Sequence, residues 1–187
     1  MSLRRITHAV LATAVVAIGL TGVQAASASA ATPAAAPRTV TYDASGAGIW
    51  KTNVDQAVQI WNSSVKNVRL VPAKPAAMTI VAFDGWPYAE PAGLGHGRIH
   101  LGEEAVREGF DRTRITAHEI GHILGLPDRR TGLCSDLMSG HSAPTSCTNA
   151  HPSPQEAATV ERNFAGGLAP AALAAIQDEC FADRVRT

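Results

Sequence analysis

"TAHEIGHILGLPDRR", Thr116 to Arg130, sets two histidines four residues apart, a glutamate beside the first, then a glycine and an aspartate. On a helix, residues four apart lie one above the other on the same face, so His118 and His122 can bind one ion together. Glu119 is angled away from that ion. There it can take a proton from a metal-bound water without occupying a ligand position. Neutral imidazole suits Zn²⁺. Gly125 is placed to end the helix in a left-handed conformation. Pro127 stiffens the turn, and Asp128 arrives six positions after His122. A carboxylate oxygen is an ordinary zinc ligand. The stretch therefore offers His118, His122 and Asp128 as zinc ligands, one open position for water, and Glu119 as catalytic base. An anionic third ligand makes the bound water less acidic than a third histidine would.

Two other readings weigh against this one. The same residues can stand on a helix that binds nothing. They can also belong to a secreted, non-catalytic binding module that keeps zinc for structure. Structural zinc sites are usually closed by four protein ligands, often cysteines. Here three ligands are visible and Glu119 is intact, which favours catalysis.

Working outward, Asp111 to Gly125 is expected to be the helix that carries the histidines, with Asp111 or Thr113 as its N-cap. Upstream, Thr39 to Asp43 alternates as a strand. Asn53 to Asn67 is expected to be a helix whose apolar face runs Val54, Ala57, Val58, Trp61, Val65 and Val68. Val68 to Val71, Met78 to Phe83 and Arg98 to Leu101 are expected strands. Asp84 to Gly97, rich in Gly and Pro, is expected to be loop. Substrate would add main-chain hydrogen bonds along the short strand near Gly97 to Gly102, taken as a sheet edge. Downstream, Arg129 to Pro152 is loop. Ser153-Pro154-Gln155-Glu156 is a helix start, with Ser as cap, Pro first and Glu reaching back. That helix runs to about Ala165 over a stripe of Ala157, Val160 and Phe164, and Pro170 to Phe181 is one more short helix. This order predicts a small α/β (α+β) domain, a mixed sheet packed on helices.

The chain has 187 residues, 16 basic and 16 acidic, with 45% apolar residues. That allows one domain with a core, and no basic block marks a nucleic-acid surface. Residues 1–30 have the layout of a secretory signal peptide. Arg4 and Arg5 precede an apolar run from Ala9 to Leu20, followed by Ala-Ser-Ala patterns. The run is shorter than the roughly 20 residues that span a bilayer. A secreted, extracellular protein with no membrane contact after cleavage is expected. Without that segment the chain holds 14 basic and 16 acidic residues and is mildly acidic. Residues 31–38 read as a short pro-segment or linker, 39–167 as the metalloprotease domain, and 168–187 as a C-terminal extension. A monomer is expected.

Export permits disulfides. Cys134 and Cys147 close a loop rich in Gly, Ser, Pro and Thr and are the best pair. Cys180 remains open as an alternative partner, a free thiol or an intermolecular link.

The longer pattern, HExxHxxGxxD from His118 to Asp128, resembles the metzincin zinc endopeptidases in the branch where Asp replaces the third His, and most of all the snapalysins. "QIWNSSVKNV" (Gln59 to Val68), "CSDLMSG" (Cys134 to Gly140) and "SCTN" (Ser146 to Asn149) extend the likeness across roughly Thr39 to Gly167. The resemblance implies zinc on His118, His122 and Asp128, with Glu119 as acid and base. It implies a Met-turn with Met138 as apolar floor beneath the ligands, and a Cys134–Cys147 disulfide. It implies calcium at Asp111 and Thr113. It implies cleavage of protein or peptide substrates such as casein, with preference for an aromatic residue after the scissile bond. Some metzincins carry a Tyr two residues after the turn Met; here Gly140 stands there. His141 nearby is read as a surface loop residue. No cysteine precedes Cys134, so a pro-segment thiol is not available to a metal.

Overall fold

The computed structural model describes residues 36–167. The expected signal segment, the helix over Pro170 to Phe181 and Cys180 lie outside the described residues.

Strand β1 (Arg38–Gly46) turns its alternate residues Val40, Tyr42 and Ala44 into the core, as period-two patterning requires. Helix α1 (Lys51–Ser64) follows and buries Val54, Ala57, Val58 and Trp61. It stops three residues before the expected end, because Val65 is already extended and Val68 opens strand β2 (Val68–Pro72). Strands β3 (Met78–Phe83), β4 (Tyr88–Gly93) and β5 (His96–Gly102) complete a five-stranded sheet in the order β2-β1-β3-β5-β4. The β1–β2, β1–β3 and β3–β5 pairs are parallel, and β4 runs antiparallel to β5. The sheet is mixed, as expected.

Two expectations are corrected here. The stretch expected as loop contains β4, whose sequence "YAEPAG" lacks alternation and includes Pro91. Such a strand is tolerated at an edge, where a missing N–H interrupts no second ladder. Consequently β5 is not an edge, since β3 and β4 pair with its two sides. The edge with unpaired main-chain groups on this side of the sheet is β4.

After β5 comes a short helix, α2 (Glu103–Arg107), that was not expected. Helix α3 (Arg112–Ile123) is the predicted histidine helix, and Asp111 is its N-cap, accepting from the Arg114 N–H at 2.8 Å. α3 packs on α1, where Trp61 Nε1 donates to the Ala117 carbonyl at 2.8 Å. The core joins Trp61 to Met78, Ile80, Ile99, Leu101 and Ile120. Within the expected loop, residues Leu137–Ser142 form tight helical turns, and a disulfide joins Cys134 to Cys147. Helix α4 (Pro154–Arg162) begins with the predicted capping box of Ser153 and Glu156. It leads into a wider turn over Asn163–Gly167, where Asn163 Nδ2 donates to the carbonyls of Leu124 and Gly125. Val160 and Phe164 are buried and Ala157 partly so.

Candidate metal centre

α3 ends beneath the two histidines in a way its sequence dictates. Gly125 has φ 89°, a left-handed conformation that side-chain-bearing residues rarely adopt. Its N–H donates to the His122 carbonyl at 2.9 Å, and the Leu126 N–H donates to the Gly121 carbonyl at 3.0 Å. This is a Schellman motif, closed by the buried Leu126. The chain reverses, and Pro127 then delivers Asp128 under the helix.

His118 Nε2 and His122 Nε2 lie 3.0 Å apart. Asp128 Oδ1 is 3.1 Å from the first and 3.6 Å from the second. The three side chains are 2%, 1% and 2% exposed. Among the described residues, this is the group of His, Cys, Asp or Glu side chains close enough to share one ion. The outer ring nitrogens fix the tautomers. His118 Nδ1 donates to the Leu137 carbonyl at 2.9 Å, and His122 Nδ1 donates to the Leu126 carbonyl at 2.8 Å. A carbonyl can only accept, so each Nδ1 carries a hydrogen, and a ring that is neutral turns its lone pair inward at Nε2. Two lone pairs and a carboxylate oxygen converging in a dry space are a donor set for a cation. Two nitrogens and one oxygen suit zinc.

The electrostatics differ between the two rings. Burial pushes His122 down to about 4, helped by its closeness to His118. Burial also acts to lower His118, but Asp128, Glu119 and the Leu137 carbonyl together outweigh it and hold that ring above the usual range. Glu119 is fully buried, and neither carboxylate oxygen has a hydrogen-bond partner. Burial raises its pKa to about 8, and Asp128 raises it further while His118 works the other way. A buried carboxyl with no fixed partner, beside a cation site, is suited to exchanging protons.

Met138 is fully buried against α3. A Cβ added at Gly121 would sit 2.7 Å from its sulfur. Its sulfur therefore packs against α3 at Gly121, between the two histidines. Asp111 and Thr113 do not enter the centre. Asp111 caps α3, and the Thr113 hydroxyl bonds Asn53 and Gln56 of α1. A narrow recess beside His118 is lined by Phe110, Asp111, Arg114, Ile115, Leu137 and Gly140.

Two residues of the centre's surroundings were not singled out from sequence. Arg114 is buried and donates to the carbonyls of Cys134, Asp136 and Asn149. Glu156, read only as a helix cap, accepts from the backbone of Leu137 and Met138. The one available signal was the helical position of Arg114, four residues before His118 on the same face.

Residues 37–167 match the Streptomyces extracellular neutral proteinase (M7) family. Curated relatives named extracellular small neutral protease include one from Streptomyces coelicolor, 43% identical over 145 residues, covering 76% of this chain and 67% of the relative. One from Streptomyces sp. strain C5 is 44% identical over 137 residues, 71% of this chain and 59% of the relative. One from Streptomyces caespitosus is 44% identical over 133 residues, 69% of this chain and 98% of the relative. High choriolytic enzyme 1, a hatching enzyme zinc-protease from Oryzias latipes (Medaka fish), overlaps 50% of this chain and 46% of its own at 21% identity and TM-score 0.38. The resemblance to the snapalysins is thereby borne out, and the non-catalytic binding module is set aside. The chain belongs to the extracellular neutral proteinase (M7) family and is an extracellular zinc metalloendopeptidase.

Proposed function

We propose that His118, His122 and Asp128 hold the zinc and that Glu119 is the general acid and base of peptide-bond hydrolysis. The observation that supports this most is the convergence of His118 Nε2, His122 Nε2 and Asp128 Oδ1, with each Nδ1 committed to a carbonyl. A zinc ion in such a set supplies a Lewis acid that acidifies a water and polarises a carbonyl. Glu119 receives the proton of the attacking water and passes it to the departing amine nitrogen. Its buried carboxyl holds that proton between the two events without a competing hydrogen bond.

Substrate would add to the free edge of β4 as an extended strand, so main-chain hydrogen bonds align the scissile bond. The preference for an aromatic residue just after the cleaved bond in casein-type substrates rests on the family resemblance. Sequencing the new N-termini in a casein digest checks it, and a digest without aromatic enrichment would remove it.

Calcium at Asp111 and Thr113 belongs to the same proposal. The cap hydrogen bond uses Asp111 Oδ1, so an ion would draw on the other oxygen. A melting temperature indifferent to added calcium would discard it. The domain is taken as 39–167, acting as a monomer on protein or peptide substrates.

The ligand set is tested by Asp128→Ala. The variant should lose stoichiometric zinc at micromolar free metal, and casein hydrolysis with it. Full zinc content in the variant would reject Asp128 as a ligand.

A further inference from the structure

Glu156 lies on α4, at its N-terminal turn, yet its carboxylate does more than cap that helix. It is 2% exposed. Oε2 accepts from the Ser153 N–H at 2.6 Å, which is the capping box, and from the Leu137 N–H at 3.1 Å. Oε1 accepts from the Met138 N–H at 2.8 Å. A helix cap requires only the first of these. The other two reach 18 and 19 residues back along the chain to the turn beneath the histidines.

The Leu137–Met138 peptide is the critical unit. Its N–H, on Met138, meets the Glu156 carboxylate. Its carbonyl, on Leu137, accepts from His118 Nδ1 at 2.9 Å. The preceding peptide is gripped in the same sense: its N–H on Leu137 meets Glu156, and its carbonyl on Asp136 accepts from Arg114 Nη2 at 2.7 Å. Two consecutive peptides are therefore held between a buried anion on one side and positively charged or donating groups on the other. A metal-ligating histidine usually donates its outer N–H to a carboxylate or a carbonyl, which orients the ring and raises its basicity. A carboxylate bonded to the N–H of the same peptide polarises it and strengthens the carbonyl as an acceptor.

We propose that Glu156 is a positioning residue for His118, acting through the Leu137–Met138 peptide as a carboxylate–peptide–histidine relay that orients the ring and strengthens its donation to the metal. The inference rests on the ligand set proposed above. It assigns a role in the centre to a residue on a separate helix that touches neither metal nor substrate.

The test compares Glu156→Gln with Ser153→Ala. Glutamine is compatible with a capping box but removes the charge. Ser153→Ala weakens the same helix start and leaves the Leu137 and Met138 hydrogen bonds in place. Zinc affinity is read by chelator competition, and the ligand field by the visible absorption of the cobalt(II)-loaded protein. Glu156→Gln should weaken zinc binding about ten- to a hundredfold, the usual loss when a metal ligand's hydrogen-bond partner is removed. It should also shift the cobalt bands. Ser153→Ala should leave both unchanged. Wild-type affinity and spectrum in Glu156→Gln, or equal losses in the two variants, would overturn the relay and leave the ligand set standing. Failure of the wild type to bind zinc, or retention of zinc by His118→Ala, would overturn both.

Should Glu156→Gln not fold, the wild type supplies the test. The Ser153 amide shares Oε2 with Leu137 and stands outside the turn, so zinc addition should move its proton resonance together with that of Met138. A Ser153 resonance that ignores zinc contradicts the relay.

Discussion

Glu119 and His118 carry the consequences of burial at the residue scale. Desolvation raises the Glu119 pKa to about 8, so before zinc is bound this carboxyl is mostly neutral at pH 7. His118, held above its usual range by Asp128 and Glu119 against the pull of burial, is also inclined to keep a proton. A cation on the two rings reverses both preferences, because it favours carboxylate and demands a free imidazole lone pair. Zinc uptake at pH 7 should therefore release protons. Calorimetric heats in buffers of different ionisation enthalpy will show this as a buffer-dependent enthalpy. The number released should fall as pH rises past about 8, where Glu119 has already ionised. Heats that do not depend on the buffer would contradict the assignment. His122 adds little to this release, since burial has pushed it down to about 4 and it is neutral beforehand.

At the scale of elements, the centre depends on how closely the 137–142 turns approach α3. Gly121, on the inner face of that helix between the histidines, permits the approach. An alanine Cβ there would stand 2.7 Å from the Met138 sulfur and 3.4 Å from Trp61. Both neighbours are fully buried and cannot swing aside into solvent. Gly121→Ala should cost about 1–3 kcal/mol as an overpacked core site. It should lower the melting temperature and weaken zinc binding, as the turn retreats with the Leu137 carbonyl that orients His118. An unchanged melting temperature would show that the turn yields freely. Helices α1, α3 and α4 were legible in the sequence because their signals are local: a 3.6-residue stripe, a cap at Asp111 or Thr113, the Ser153 cap, and Gly125 as a stop. β4 was not, because "YAEPAG" has no strand pattern of its own and owes its conformation to β5. The turn was legible only as a likeness. What holds it, Arg114 and Glu156, acts across 18 to 35 residues of sequence, beyond any local window.

For the whole molecule, residues 36–167 hold every part of the proposed centre: helix, Schellman turn, Asp128, the disulfide-closed loop and the α4 clamp. The Cys134–Cys147 bond suits an extracellular protein, and it closes a loop of the size for which cross-linking contributes about 3 kcal/mol. The proposed ligands and base were legible because they sit in one eleven-residue stretch. The sheet edge that would receive substrate was not, because it is a property of strand order rather than of any segment. The central claim is that Glu119 moves the proton while the other three residues hold the metal. Its most direct test is casein hydrolysis by wild type and Glu119→Gln, with zinc content measured in both. The account predicts equal zinc and equal folding, with activity in the variant lower by 10² to 10⁴-fold, the usual contribution of a general acid–base. Wild-type activity in a zinc-replete Glu119→Gln protein would contradict it.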